Sequence, residues 1–191
     1  MQIIVNIKNI AEVISGYTFR DSIKEDRESE LYVLQAKNIK DDILINEDSL
    51  IQTKCYTSHT NAFAQDGDVV ISTRGTFRTA VLRSTKRIIA SSSVYLLRLK
   101  GDGLIMPEFL TIYMNSAFGQ KDISQVVTGA AIKLILRNDL ESINIPVLPR
   151  TQQEKMVALY KNIKQQEDLL KRRNELHKNI MNAAFHKLIR S

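Results

Sequence analysis

Three short loops carry the residue types that hold a polyanion. Arg74-Gly75-Thr76-Phe77-Arg78 sets two guanidiniums and a hydroxyl around a glycine turn. A guanidinium can fork onto guanine O6 and N7 or clamp a phosphate, and a glycine lets backbone amides come close to the anion. Thr128-Gly129 followed by Lys133 repeats the ingredients as a hydroxyl, open backbone and an ammonium. Arg20 closes the glycine-led turn Gly16-Tyr17-Thr18-Phe19-Arg20 and is the third candidate. Each loop taken singly is also ordinary surface turn chemistry. Three of them in one domain, one of them inside a basic window without carboxylates, favour DNA. The candidate contact set is therefore Arg20, Arg74, Gly75, Thr76, Arg78, Thr128, Gly129 and Lys133. Which of these read bases and which hold phosphates is left open by the sequence.

Catalytic signatures are missing. There is no G-x-G-x-x-G, no Walker loop, no G-x-S-x-G and no H-E-x-x-H. His59, His177 and His186 are scattered, and two of them lie near the C-terminus, so neither a zinc site nor any cofactor is expected. Gln35-Ala36-Lys37 echoes the strand end of a metal-dependent nuclease, with Asp21 or Asp26 as ligand, although echoes this short arise readily by chance. The lone Cys55 excludes an internal disulfide, reads as a small buried hydrophobe and suits a reducing cytoplasm. No run reaches the ~18 apolar residues of a membrane span, and no basic-then-apolar leader opens the chain. A cytoplasmic protein is expected.

Charge is unevenly spread. Residues 1–68 hold 7 basic and 12 acidic side chains, whereas Val69 to Gly101 holds 7 basic and no acidic ones. Residues 151–191 hold 9 basic and 4 acidic. A window without carboxylates inside a mixed domain attracts polyanions, or else is a basic solvated face.

These loops need a scaffold, and the pattern supplies short elements of both kinds. Strands are expected at Ile3 to Ile7, Leu31 to Ala36, Val69 to Ser72, Phe77 to Leu82, Val94 to Leu99 and Ile143 to Val147. Ile43 to Ile45 is a candidate partner for the Leu31 strand. Helices are expected at Asn9 to Ile14, from Pro107 to about Ser116 and within Ile132 to Leu140, with a second short helix or turn near Lys121 to Val126. Asp21 to Glu30 reads as an exposed loop. This is an α+β domain over residues 1–149, not an alternating βαβ array.

Residues 150–191 read as one long helix. Thr151 to Arg190 contains no Pro or Gly, Pro146 and Pro149 stop what precedes, and Thr151 with Glu154 forms a capping box. Met156, Leu159, Tyr160, Ile163, Leu170, Ile180, Ala184 and Leu188 make a heptad-like stripe, interrupted by the polar Gln166, Arg173 and His177. Such a helix is roughly 60 Å long, too long to lie within a domain of this size. Its stripe needs another helix to cover it, so it is expected to form a coiled coil and to serve assembly.

The order of these motifs resembles one half of the specificity subunit of type I restriction–modification systems. The stretches that match are Ile10 to Arg20, Gly67 to Thr76, Ser92 to Leu99, Thr128-Gly129-Ala130, Ile145 to Pro149 and Gln152 to Lys155. In that family a full subunit carries two target recognition domains, each followed by a long helix. The helices pack as an antiparallel spacer, and each domain reads half of a split DNA target. One domain and one helix imply a half-length form that pairs with itself, or half of a longer subunit. The resemblance also implies a DNA adenine methyltransferase subunit as partner, a restriction/translocase subunit beyond it, and no catalysis by this chain. A non-DNA helical adaptor and a metal-dependent nuclease remain the competing readings.

Overall fold

The computed structural model describes residues 3–54, 60–101, 103–129 and 133–190. Cys55, His59, the Ala130-Ala131 pair and Ile132 lie outside the described residues. The chain forms two compact units, Met1–Gln153 and Glu154–Ser191.

In the first unit, β1 (Ile3–Asn6) leads through α1 (Ile7–Ile10) into β2 (Ala11–Ser15), with β3 (Leu31–Leu34) and β4 (Ile51–Gln52) following. Then come β5 (Phe63–Ala64), β6 (Val69–Ser72), β7 (Thr79–Val81), β8 (Arg87–Ala90) and β9 (Val94–Leu99). Helices α2 (Pro107–Asn115), α3 (Ala117–Val126) and α4 (Arg137–Ser142) precede β10 (Asn144–Val147), and α5 (Arg150–Ile189) ends the chain.

Strands β2-β9-β6-β7 form one antiparallel sheet, with Val13 opposite Leu97 and Val70 opposite Leu96. Strands β4-β3-β8-β5 form a second, mixed sheet in which β3 and β8 run parallel. The sheets share a core. Ile14, Val70, Ala80, Val94 and Leu96 of the first meet Leu34, Ile88 and Ala90 of the second. All four residues of β6 are buried, which explains why its run is β-branched rather than alternating. Its far side lies under α2, which Asn115 ties to β7 by accepting from the Thr79 amide at 2.9 Å and donating to the Thr79 carbonyl at 2.8 Å. Strands β1 and β10 close a separate antiparallel pair. Among the described residues no helix is long and apolar enough to cross a membrane.

Several local expectations are corrected. Ala11 to Ile14 is strand, not helix, because burying Ala11, Val13 and Ile14 against β9 outweighs a local helical reading. Ile43 to Ile45 bonds not to β3 but to β7, where the Val81 amide donates to Ile43 O at 2.7 Å and the Ile45 amide donates to Val81 O at 3.0 Å. The helix placed within Ile132 to Leu140 begins only at Arg137, because Lys133 to Ile135 is engaged in backbone pairing. Strand β8 was not foreseen. Thr151 is no N-cap: the helix has already started at Arg150, and Pro149 O accepts from the Gln152 amide at 2.8 Å.

That first helical turn belongs to the first unit through Gln153. Its fully buried amide accepts from the Met106 amide at 2.8 Å and donates to Leu104 O at 2.9 Å and Leu148 O at 2.8 Å. Gln153→Ala removes the partner of three part-buried backbone groups and should cost about 2–3 kcal/mol in urea unfolding. A loss below about 0.5 kcal/mol would show that water replaces the amide.

The described helix of the second unit is exposed at most positions, Val157 being buried, and Met156, Leu159, Ile163, Leu170, Ile180, Ala184 and Leu188 are all among the exposed residues. Leu169, Leu176, Met181 and Phe185 are exposed as well, although the heptad stripe does not include them.

Candidate nucleic-acid interface

Strands β6 and β9 deliver their ends to one place, and the backbone there continues as a band of short extended segments. The turn Ser91–Ser93, which carries the chain from the second sheet to the first, lies in the middle. On one side the Ser92 amide donates to Tyr17 O at 2.8 Å and the Tyr17 amide to Ala90 O at 2.7 Å. On the other side the Thr73 amide donates to Ser93 O at 2.9 Å. Thr73 O in turn accepts from the Ile135 amide at 3.2 Å, and Lys133 O accepts from the Gly75 amide at 3.1 Å. The last rung joins Thr128 to Leu134, each amide donating to the other's carbonyl at 3.0 and 2.8 Å. The three loops singled out by residue type, far apart in sequence, are thus members of one hydrogen-bonded band.

Local chemistry fixes each tip. Arg74, Gly75 and Thr76 are exposed, while Phe77 is buried and anchors the loop from below. Gln120 of α3 donates to the Phe77 carbonyl at 3.0 Å. Gly75 has φ of +77°, a conformation that favours glycine. Its amide is spent on Lys133 O, so it is not available to an anion, contrary to the expectation for that glycine. Thr76 O accepts from the Ser72 hydroxyl and from the Arg78 amide. Tyr95 supports the band from underneath, with its hydroxyl 3.4 Å from Ile135 O, and burial pushes that hydroxyl above its ordinary pKa. At the other end Tyr17 and Phe19 meet edge to face at 5.0 Å, which stiffens the turn that carries exposed Arg20.

The carboxylate-free window proves a poor guide to free charge, because its cations find acids from elsewhere. Arg98 is held by Asp68 at 2.8 and 3.1 Å, and Arg83 by Glu108 at 2.6 Å and Asp66 at 3.2 Å. Lys86 pairs with Glu47 at 3.0 Å and Arg78 with Asp41. Arg87 sits over the Phe63 ring at 4.9 Å, and the Lys100 ammonium donates to Lys8 O at 2.7 Å. Among the described residues of that window, Arg74 alone has a cationic side chain with no acceptor or ring beside it. Exposed Lys133 stands on the adjacent strand of the band, so two of the predicted cations are brought together. Thr128 and Gly129 are exposed next to them, and the Thr128 hydroxyl is 3.5 Å from Leu134 O.

Sequence reasoning missed the serine turn at the centre. Ser91 and Ser93 share a hydrogen bond of 2.7 Å, Ser93 Oγ accepts from the Ala36 amide at 3.0 Å, and Ser92 is exposed. Asp21, Gln35 and Lys37 line a concavity beside this turn with Phe19 and Ser92. Asp26 faces a neighbouring one, where Lys54 at 2.9 Å holds its carboxyl below the usual carboxylate range. Among the described residues no three His, Cys, Asp or Glu side chains gather as a metal site would require.

Residues 3–178 match the family described as type I restriction modification DNA specificity domain, and the chain belongs to that family. Solved structures agree on the fold. One, described as the structural basis underlying complex assembly and conformational transition of the type I R-M system, matches with 23% identity and a TM-score of 0.68 over 90% of this chain and 40% of its own. The HsdS subunit from Thermoanaerobacter tengcongensis matches with 20% identity and a TM-score of 0.62, covering 90% of this chain and 39% of its own. The type I restriction-modification system S subunit from M. genitalium matches with 13% identity and a TM-score of 0.61, covering 86% and 39%. The chain therefore spans about two fifths of the solved structures that it matches. No curated protein gives a significant sequence match.

Proposed function

We propose that this chain selects the DNA sequence for a type I restriction–modification complex and performs no chemistry itself. The observation that carries this reading is the backbone band, which presents Arg20, Arg74, Thr76, Thr128 and Lys133 from adjacent loops in a chain of the specificity-domain family. Arg78 joins them by exchanging Asp41 for a phosphate, an exchange that costs little for an exposed pair. Gly75 and Gly129 hold the turns rather than the anion. Through the exposed stripe of α5 the chain pairs with a second copy, and two such domains read an inverted repeat. The partners are duplex DNA, a DNA adenine methyltransferase subunit that does the modification, and a restriction/translocase subunit.

The test is selection of duplexes from a random library by the chain together with its methyltransferase, at a series of salt concentrations. Enrichment of a two-part inverted repeat, with affinity falling as salt rises, is expected. Enrichment of no sequence would sink the reading in favour of a helical adaptor. In the same assay Arg74→Ala should weaken binding by about 1–3 kcal/mol. Relaxation at one base position marks a base contact, an equal loss on all sequences marks a phosphate contact, and no loss removes Arg74 from the interface.

A further inference from the structure

The motif Gln35-Ala36-Lys37, in sequence only an echo of a nuclease, lies beside the middle of the band. It leads from the end of β3 into a short 3-10 turn, Ala36–Asn38. Hydrogen bonds hold that turn on three sides. The Gln35 amide donates to Asn38 Oδ1 at 2.8 Å, and the buried Asn38 donates through Nδ2 to Ser49 O at 2.7 Å. The Ala36 amide donates to Ser93 Oγ at 3.0 Å, which ties the turn to the serine turn of the band. The concavity beside them is lined by Phe19 and residues 21–23, by Gln35 and Lys37, by Ile51 and by the serine turn. Ser92 therefore belongs both to the band and to this cleft, so a duplex lying along the band meets the cleft at the middle of its path.

Two charges of opposite sign line the cleft. Asp21 and Lys37 are both exposed, and among the described residues neither closes an ion pair, with the other or with a third group. The next carboxylates along the chain are already matched, Glu25 by Arg27 and Asp26 by Lys54, each at 2.9 Å. With the exposed Ser92 hydroxyl and the Gln35 amide, the cleft presents acceptors and donors together. A phosphate has acceptors alone and is repelled by a carboxylate. A divalent cation wants several carboxylates, and no three metal-ligating side chains gather among the described residues. The edge of a base pair in the major groove shows donors and acceptors side by side, as this set requires.

Resting on the function proposed above, we infer that this cleft is a further base-reading site. Asp21 accepts from the N4 amino group of a cytosine, and Lys37 donates to O6 and N7 of a guanine, in the same base pair or the next. Both are specificity-determining residues outside the set that residue type had singled out. The carboxylate gives the site a signature of its own. Asp21 repels the phosphates of every sequence, and only a cytosine amino group offsets that repulsion. It acts chiefly against wrong sequences.

The test is the random-library selection with the methyltransferase, run on the unaltered chain, on Asp21→Ala and on Lys37→Ala, with urea unfolding of each. Unfolding midpoints should stay where they are, since both side chains are exposed and unbonded. Asp21→Ala is expected to lose the preference for cytosine at one position, to keep the others, and to bind non-matching duplex more tightly than the unaltered chain. Lys37→Ala is expected to lose the preference for guanine at the same or the adjacent position, with roughly ten- to hundredfold weaker binding of the selected sequence. A change equal on all sequences in both variants overturns base reading and leaves a cleft that feels only the charge of the backbone. Unaltered profiles and affinities in both variants remove the cleft from the interface, while the unaltered chain's own enrichment keeps the functional reading standing. Enrichment of no sequence by the unaltered chain overturns both.

Discussion

Arg98→Leu is expected to cost the fold about 3–5 kcal/mol, the usual penalty for stranding one member of a buried ion pair. Asp68 has a side chain only 2% exposed, and Arg98 grips it with two nitrogens while also donating to Phe63 O at 3.0 Å. The Gln65 amide, which donates to the same carboxylate at 2.8 Å, cannot neutralise it. The midpoint of urea unfolding measures the loss, and a change under about 1 kcal/mol would mean that water reaches Asp68. Arg98→Leu combined with Asp68→Leu should recover much of the stability, because no buried charge is then left uncompensated. Folded Arg98→Leu protein should keep the salt dependence of DNA binding, which separates this arginine from Arg74. The two look alike in the sequence, yet one is spent on the fold while the other is exposed and unpaired.

Gly16→Ala should be as damaging, by about 3 kcal/mol or more, for a different reason. A Cβ at this position would stand 2.0 Å from Ser91 O and 2.5 Å from Ser91 C, both backbone atoms that no side-chain rotation can clear. Tyr17 must therefore separate from the serine turn, and the rung that carries the Arg20 loop opens. Amide exchange at Tyr17 and Ser92 is expected to rise well above that at Thr73 and Leu134, which lie on rungs beyond the clash. Uniform loss of protection across the band would instead mean that the whole band unfolds as one. DNA affinity should fall with the rung even though no contacting side chain has changed.

The elements that announced themselves in the sequence are those whose signal is local. Pro107 marks the start of α2, the β-branched run marks β6, and the unbroken helix-forming stretch marks α5. Pairings that depend on distant chain were hidden. The parallel match of Leu31–Leu34 to Arg87–Ala90 leaves no trace in either segment, and the four residues of β8 are too few to show alternation. Gln153 has the composition of a helix surface and the burial of a core residue, because its three partners are backbone groups from elsewhere in the chain. Residue type singled out Arg74 and Lys133 as candidates, but only the fold shows them on neighbouring strands. The same pairing shows that Arg78, Arg83, Lys86 and Arg98 carry charges already matched.

The band is closed by amides and carbonyls, and that has a consequence for how such a protein changes over generations. A main-chain rung survives substitution of the side chain it carries. The residues at positions 20, 74, 76, 128 and 133 can therefore be exchanged singly while the frame that presents them persists. Stability rests elsewhere, on Asp68 with Arg98, on Gly16 and on the shared core of the two sheets. If these side chains read DNA as proposed, a lineage built this way can drift to a new target one letter at a time without passing through an unfolded ancestor.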